Sequence, residues 1–278
     1  MIIKKRPIIS WLLDDNYPLK DMGRISIADT GNPLHLKYLS NGFESLRQIR
    51  DYKPDWGLPE LLMPSFEHVM QKSAKSFYNI DHQLFQEFYN DEVCGILLHK
   101  IYGTIIYGFG KDTLSVWLFQ EINGESALYD FCYFESTPRN TRKAYHFPSN
   151  SMPDEEQNDF YSCISNLLIS YLAVKKYAKV ETIIVPINEK IIVEDEIKGY
   201  KEKVKNDSGQ EVIIMDSRWF VKIINDNDIF VRGFFRMQRY KDENGEWAKK
   251  LIFIDPFIRH GYHRNAKIEE KDTQEDDI

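Results

Sequence analysis

The spacing of apolar and polar residues changes along the chain and predicts both helices and strands. Residues 1–57 carry many proline and glycine residues between short apolar runs, a pattern typical of extended segments and turns that wrap a core built elsewhere. From Pro59 the apolar residues recur at helical spacing, and proline suits a first helical turn. The apolar residues of this first predicted helix are Leu62, Phe66, Val69, Met70, Phe77 and Tyr78. A second helix is predicted to start at Asp81, which can cap it, and to end near Asn90. Its shared apolar face consists of Leu84, Phe85, Phe88 and Tyr89.

The stretch 93–134 predicts an antiparallel sheet, because it is rich in β-branched and aromatic residues and is divided by glycines. Asn123-Gly124 between apolar runs is the strongest short signal for a hairpin, since both residues tolerate the positive φ of a type I′ turn. We therefore expect strands at about 97–108, 114–122 and 126–134.

A polar connection with several prolines, at 135–153, follows this sheet and is the best candidate for a subdomain boundary or a mobile loop. After it, the longest predicted helix begins with three acidic residues at 154–156 and closes with lysines at its other end. Acidic residues at the start and basic residues at the end complement the helix dipole. The apolar residues that recur along this helix are Phe160, Ile164, Leu167, Leu168, Tyr171, Leu172 and Val174.

The remaining residues predict a β-rich C-terminal part. Its apolar runs lie at 181–186, 190–193, 211–215 and 218–224, with a polar turn at 206–209. The last two runs, 229–240 and 247–258, flank a polar turn and predict a hairpin. We therefore expect an α+β protein with five segments. These are an N-terminal wrapping segment at 1–57, two helices and an antiparallel sheet at 58–134, the connection at 135–153, the long helix and the β-rich part at 154–268, and an acidic tail at 269–278.

The composition describes a globular protein with an excess of aromatic residues, with 5 Trp, 16 Tyr and 17 Phe among 278 residues. The net charge of −7 excludes a protein that coats nucleic acid with its whole surface, so any site for a polyanion has to be local.

Three widely spaced cysteines cannot form a closed set of disulfides and fit a reducing cytosol. The apolar runs are shorter than the ~20 residues of a membrane-spanning helix. Asp14 and Asp15 interrupt the N-terminal apolar run before it resembles a signal peptide. We therefore expect a cytoplasmic protein that binds no membrane.

The region 228–267 has nine Lys and Arg residues against five Asp and Glu residues, so it is positive within a negative chain. Strand alternation predicts Arg232, Phe234, Arg236 and Gln238 on one face, and Gly233, Phe235, Met237 and Arg239 on the other. Guanidinium groups hold phosphate through paired donors, and a ring among them offers a stacking plane for a base. We expect a basic-aromatic ribbon that binds nucleic acid, particularly single strands or an irregular duplex. Its predicted contact residues are Arg232, Phe234, Arg236, Arg239, Lys249, Lys250, Arg259, His260, His263 and Arg264. The same pattern also fits the solvated outer face of a ribbon that covers the core with its other face.

Two strings within this region carry a resemblance to a known group of proteins. They are Val231-Arg-Gly-Phe-Phe-Arg-Met-Gln-Arg-Tyr and, after a polar turn, Leu251-Ile-Phe-Ile-Asp-Pro-Phe-Ile-Arg-His-Gly261. Together they resemble the C-terminal hairpin of uncharacterised proteins from bacteriophages and other bacterial mobile elements. Phe234 stands where that hairpin often has His, so the resemblance implies no His-dependent chemistry. The match covers about thirty residues and implies an origin in a mobile element without implying an activity.

Other chemistry is weakly indicated by the sequence. His260 and His263 form the only close pair of histidines, but Gly261 disfavours the helix on which two His three residues apart would share a metal. No third ligand, phosphate-binding glycine loop, dinucleotide-binding motif or nucleophile elbow accompanies them, so the sequence predicts no metal and no cofactor and assigns no catalytic residue.

Three classes of function therefore stay open. The sequence favours an accessory protein of a phage or mobile element that binds nucleic acid. The second class is a protein-interaction or structural component, such as a viral particle subunit or an inhibitor of a host protein, whose partner is a host protein or a second copy of the chain. The third class is an enzyme that acts on nucleic acid or nucleotide phosphates, with His260 or His263 assisting.

Overall fold

The structure is a computed structural model, and it describes residues 1–63, 66–67, 70–71, 74, 77, 80–138, 142–147, 153–178, 180–195, 200–216, 229–231, 233–255 and 257–259. The helices in chain order are α1 (Pro7–Leu13), α2 (Pro33–Asp51), α3 (Asp81–Asn90) and α4 (Asp154–Tyr177), and Leu19–Arg24 form a short 3₁₀ helix. The strands of the first half are β1 (Ile2–Lys4), β2 (Ile25–Ile27), β3 (Glu60–Leu62), β4 (Cys94–His99), β5 (Gly103–Gly110), β6 (Thr113–Ile122) and β7 (Glu125–Ser136). Those of the second half are β8 (Arg142–His146), β9 (Glu181–Val185), β10 (Lys190–Asp195), β11 (Tyr200–Asp207), β12 (Val212–Asp216), β13 (Ile229–Val231), β14 (Phe234–Lys241), β15 (Trp247–Ile254) and β16 (Phe257–Arg259). The predicted α+β class is confirmed.

A nine-stranded mixed sheet forms the centre of the fold, in the order β2-β7-β6-β5-β4-β3-β12-β9 with β8 beside β7. Strands β4 to β7 form an antiparallel meander, while the short β3 pairs in parallel with both β4 and β12. One edge of β7 pairs with β6, and the other pairs with β2 along its first half and with β8 along its second half. Strands from both sides of the 135–153 connection therefore share one sheet.

Two hydrophobic clusters lie on opposite faces of this sheet. Along β6, Val116 and Leu118 belong to one cluster and Trp117 and Phe119 to the other, so the strand is apolar on both faces. The first cluster contains α3, α4 and the described helical residues between 66 and 77, together with part of the β14–β15 hairpin. The second cluster contains α1, α2 and the small β1-β11-β10 sheet. Helical layers therefore cover both faces of the sheet.

Several predicted elements are confirmed. Helix α4 has acidic residues in its first turn and lysines in its last turn, and most of its predicted apolar residues are buried. Asn123 and Gly124 have φ values of 52° and 81°, as the type I′ turn between β6 and β7 requires. Strand β9 follows α4, and the last two apolar runs pair as β14–β15 and β13–β16. Lys179, the apolar run 218–224 and the tail 269–278 lie outside the described residues.

The sequence of 1–57 predicts extended segments and turns more than long helices, and this is wrong at 33–51, where the 19-residue helix α2 lies; the short helix α1 also lies in this segment. Asn32 caps this helix, since its side chain accepts the backbone N–H groups of Leu34 at 3.0 Å and His35 at 3.4 Å. Gly42 lies inside the helix because a Cβ there would come 2.5 Å from the ring of Phe131 on β7. The glycine therefore permits close helix–sheet packing and does not end the helix.

The first predicted helix begins later in the chain than the sequence indicates. Glu60–Leu62 form strand β3, Pro59 precedes it outside any helix, and the described residues from Phe66 to Phe77 are helical. Asp81 does not cap the second helix, because Ile80 is its N-cap and no side-chain cap bond forms. Asp81 instead forms an ion pair with Arg142 on β8, with 2.8 Å between Oδ2 and Nε.

Two further boundaries differ from the predicted ones. The strand predicted at 97–108 is two strands, β4 and β5, which turn at Gly103 with a φ of 73°. The connection 135–153 contains β8 at Arg142–His146, while 139–141 and 148–152 lie outside the described residues. Throughout the described ranges, every helix is too short or too polar to cross a bilayer.

Candidate nucleic-acid interface

The β14–β15 hairpin carries the predicted contact residues whose side chains the structure describes. Its antiparallel register runs from the Phe234–Ile254 pair at the base to the Lys241–Trp247 pair at the tip. Asp242 organises the turn, because its Oδ1 accepts the backbone N–H groups of Asn244 and Glu246, both at 2.9 Å. This turn sets the register and therefore decides which side chains lie opposite each other.

The base of the hairpin is anchored in the first hydrophobic cluster. Phe235 and Leu251 are buried, and Met237 and Phe253 pack beside them on the same face. The ring of Phe235 meets Phe77 edge-on, with 4.9 Å between centroids. The base of the ribbon is therefore held by core packing on that face.

The distal half of the hairpin extends beyond this core. Arg239 and Lys249 are the next pair on the face that Phe235 occupies, and both are exposed. The pair after them joins Lys241 to Trp247, whose side chain is 71% exposed and has the Lys241 Nζ 5.5 Å from its ring centroid. Both faces of the distal ribbon therefore contact solvent.

The opposite face of the ribbon is exposed at four positions, Phe234, Arg236, Tyr240 and Lys250, and is partly buried at the others. Phe234 is 42% exposed and Arg236 is exposed, and an Arg236 Nη donates to the Gln238 Oε1 at 3.2 Å. Nearer the tip, the Nζ of Lys250 lies 5.4 Å from the ring centroid of Tyr240. Cations and rings thus lie side by side on this face, where strand alternation predicted Phe234 and Arg236 but not Tyr240.

The distal ribbon concentrates positive charge without compensating ion pairs. Arg239 and Lys249 are directly opposite each other, and like charges in that position repel. Within the part of the chain that the structure describes, neither of them, nor Lys241 or Lys250, lies within ion-pair distance of an acidic group. The acidic residues of the hairpin lie in its turn, where Asp242 already accepts two backbone N–H groups. A polyanion that bound across the ribbon would relieve this repulsion.

Exposed aromatic side chains also concentrate around the hairpin. Six exposed Phe, Tyr and Trp side chains occur among the described residues. Four of them are Phe234, Tyr240, Trp247 and Phe257. Among the described residues, four of the six exposed aromatic side chains therefore lie on the hairpin or on the neighbouring strand β16, and the other two, Tyr52 and Tyr89, lie elsewhere.

The predicted site is partly assembled by the structure. Arg239 and Lys249 come together on one face, and Phe234, Arg236 and Lys250 lie on the other. The backbone of Arg259 pairs with Ile229, while Arg232, His260, His263 and Arg264 lie outside the described residues. The predicted apolar face is confirmed at Phe235 and Met237, whereas Arg239 shares that face but lies past the end of the core. Sequence reasoning missed Tyr240, Lys241 and Trp247, which the hairpin register would have placed beside the predicted cations.

A cleft of about 450 Å³ lies elsewhere, between α4, the β4–β5 turn and the helical residues near Met70. His99 lines it, and its Nδ1 accepts the backbone N–H groups of Ile101 and Tyr102, both at 3.2 Å. Burial lowers the pKa of His99, so the ring is neutral near pH 7. Its basic nitrogen is already engaged and is not available to accept a proton from Cys163, which lines the same cleft. Among the described residues that line the cleft there is therefore no thiol–imidazole pair of the kind that activates a cysteine nucleophile.

Other titratable side chains form hydrogen bonds between elements of the fold. Burial raises the pKa of Asp130 to about 6, while the hydroxyl of Tyr161 donates to its Oδ2 at 2.8 Å. Glu60 accepts hydrogen bonds from Tyr171 and Lys175 of α4, which tie this helix to β3. Across the described ranges, no three His, Cys, Asp or Glu side chains are grouped closely enough to hold a metal ion.

Comparison with known proteins found no matching family model, no matching curated protein and no matching solved structure. Function therefore has to be inferred from the hairpin and its charges.

Proposed function

We propose that this protein binds nucleic acid through the β14–β15 hairpin, as a cytoplasmic accessory protein of a bacteriophage or mobile element. The observation that carries the proposal is the pair Arg239 and Lys249, which lie directly opposite each other without a described ion pair and next to an exposed indole. Phosphate groups supply the missing negative charge, and bases supply faces for the rings.

The charge distribution of the whole chain supports a local binding site. At a net charge of −7 the rest of the surface repels a polyanion, so contact is confined to the ribbon. The ribbon also extends beyond the core that anchors it, so a strand of nucleic acid can reach both of its faces without meeting the acidic body.

The test is fluorescence anisotropy with labelled 20-mer single-stranded and duplex DNA over a range of salt concentrations. Arg239, Lys241, Lys249 and Lys250 supply up to four phosphate contacts, so log K against log salt on single strands is expected to have a slope of about −3. The double variant Arg239→Ala/Lys249→Ala removes two contacts and is expected to make that slope less negative by about 1.4.

The matched control removes two exposed lysines from another pair of strands. Lys190→Ala/Lys203→Ala, on β10 and β11, changes the net charge by the same amount and is expected to leave the salt slope unchanged. Equal losses in the two double variants, or no binding of either probe at low salt, would show that the hairpin is not a nucleic-acid site.

A protein partner is the second candidate, favoured by the exposure of Trp247 and Tyr240 beside Arg239. Trp, Tyr and Arg dominate interface hot spots. Light scattering coupled to size-exclusion chromatography tests self-association. A discrete oligomer that the Trp247→Ala substitution dissociates supports this candidate. A monomeric mass for both the original protein and the Trp247→Ala variant counts against association of the chain with itself.

A further inference from the structure

We infer that the distal hairpin contains a subsite for one nucleotide of a single strand, with the base stacked on Trp247 and its phosphate held between Arg239 and Lys249. This inference rests on the proposed function and adds the type of nucleic acid and the residue that recognises the base.

The subsite is a shallow cavity on one face of the ribbon. It has a volume of about 330 Å³ and is lined by Arg239, Trp247, Ala248 and Lys249. This volume lies at the lower end of the range of small-ligand pockets, which suits a single nucleotide more than a longer segment. Two cations and one ring therefore line a space of the right size.

The cations and the ring occupy successive positions of the same face. Arg239 and Lys249 form one cross-strand pair, and Trp247 belongs to the next pair towards the tip. Side chains two residues apart on one face of a strand are about 7 Å apart, which is close to the separation of a phosphate from its own base. A nucleotide can therefore reach both groups at once.

The indole is available for stacking. Lys241 approaches the ring with its Nζ 5.5 Å from the centroid, and the 71% exposure leaves most of the indole open. Ring stacking requires an unpaired base, because both faces of each base in a duplex are covered by its neighbours. This requirement points to a single strand, whereas cations alone would also bind a duplex.

The experiment compares three probes with the full-length chain: dT15, an abasic deoxyribose-phosphate oligomer of the same length, and a 15-base-pair duplex. Trp247→Ala is expected to weaken dT15 binding by about 5- to 150-fold, as loss of one base stack predicts, and to leave the abasic oligomer unaffected. Trp247→Phe keeps an aromatic plane and is expected to retain most of the dT15 affinity.

Intrinsic fluorescence gives a second readout. Trp11, Trp56 and Trp117 are at most 5% exposed, and Trp219 lies outside the described residues. Stacking of thymine on Trp247 is expected to quench the emission, and this quenching is expected to disappear in Trp247→Phe. The abasic oligomer is expected to bind without quenching.

The outcomes separate this inference from the proposed function. Salt-dependent dT15 binding that Trp247→Ala leaves unchanged, or weakens as much as it weakens abasic binding, overturns the stacking subsite and leaves the nucleic-acid site standing. Binding of the duplex in preference to dT15 overturns the single-strand assignment. Absence of binding to all three probes at low salt overturns both. Thermal melting followed by circular dichroism verifies that each variant is folded.

Discussion

The ion pair between Asp81 of α3 and Arg142 of β8 predicts a large loss of stability when one partner is removed. The Asp81 side chain is 1% exposed and that of Arg142 is 16% exposed, with 2.8 Å between their charged atoms. An Arg142 Nη also donates to the Ser165 hydroxyl of α4 at 2.9 Å. Burial raises the pKa of Asp81, and the guanidinium of Arg142 opposes that rise, so loss of Arg142 removes the main group that favours the charged carboxylate.

Arg142→Ala leaves this carboxyl buried without its cation, and we expect a loss of about 3–5 kcal/mol in the free energy of unfolding. The exposed pair Arg47–Glu44 on α2 provides the comparison, since its side chains are 54% and 56% exposed. Arg47→Ala is expected to cost at most about 0.5 kcal/mol. The difference follows from burial, because both pairs join an arginine to a carboxylate.

Urea unfolding at pH 7, followed by circular dichroism, measures both losses. The double variant Asp81→Asn/Arg142→Met removes both charges and is expected to recover much of the stability lost in Arg142→Ala. If Arg142→Ala costs no more than Arg47→Ala, or if the double variant is the least stable protein, the ion pair does not join α3 to β8 as described.

Three further predictions concern single residues. Burial raises the pKa of Asp130 to about 6, so the folded protein binds the proton of this carboxyl more tightly than the unfolded chain does. Protonation of Asp130 therefore stabilises the fold fully below pH 4, and this stabilisation is lost as the pH rises through 6. Asp130→Asn is expected to gain stability relative to the original protein between pH 4.5 and 7, as urea unfolding measures; a constant difference would contradict the assignment. Cys163 is exposed, whereas burial raises the pKa of the other two thiols, so brief iodoacetamide treatment is expected to add one adduct by intact mass and none in Cys163→Ser. Gly42→Ala brings a Cβ within 2.5 Å of Phe131 and is expected to lower stability by about 1–3 kcal/mol, despite a gain in helix propensity of up to about 1 kcal/mol. Gly23→Ala, with open space around its Cβ, is the control and is expected to change thermal stability little.

Local sequence signals predicted the elements that depend on local chemistry. The charges at the two ends of α4, the Asn123-Gly124 turn and the alternation in β14 each act within a few residues. The sequence pattern does not predict helix α2, because a glycine such as Gly42 is typical of a turn, and the close approach of Phe131 that explains this glycine is a contact between distant residues.

Strand β11 shows how a polar sequence can form a strand. Lys201, Lys203 and Lys205 are exposed, and Val204 and Asn206 are buried next to them. The Nδ2 of Asn206 donates to three carbonyl oxygens, those of Val185, Pro186 and Gln210, and its Oδ1 accepts from Ser208. These partners satisfy a buried amide that the sequence pattern alone indicates as a turn residue.

The sequence predicts which types of residue form the candidate site, but not how their side chains are arranged. Alternation identified Arg236 and Phe234 as outward-facing, and the cluster of cations indicated a polyanion. The exposure of Arg239 depends on where the core beneath the hairpin ends, which is set by Phe77 and the other residues packed under Phe235. The pairing of Trp247 with Lys241 likewise depends on the turn at Asp242.

The position of the three-residue strand β3 in the middle of the sheet has a consequence for synthesis of the chain. Glu60 pairs with Leu97 on one side and with Ile213 on the other, so the second partner leaves the ribosome only after most of the chain. Until then the nascent protein presents an unpaired strand edge beside an aromatic-rich surface, a state that slows folding and favours association between chains. This edge of β3 is covered only when β12 pairs with it. A chain that stops before β12 is therefore expected to accumulate in the insoluble fraction.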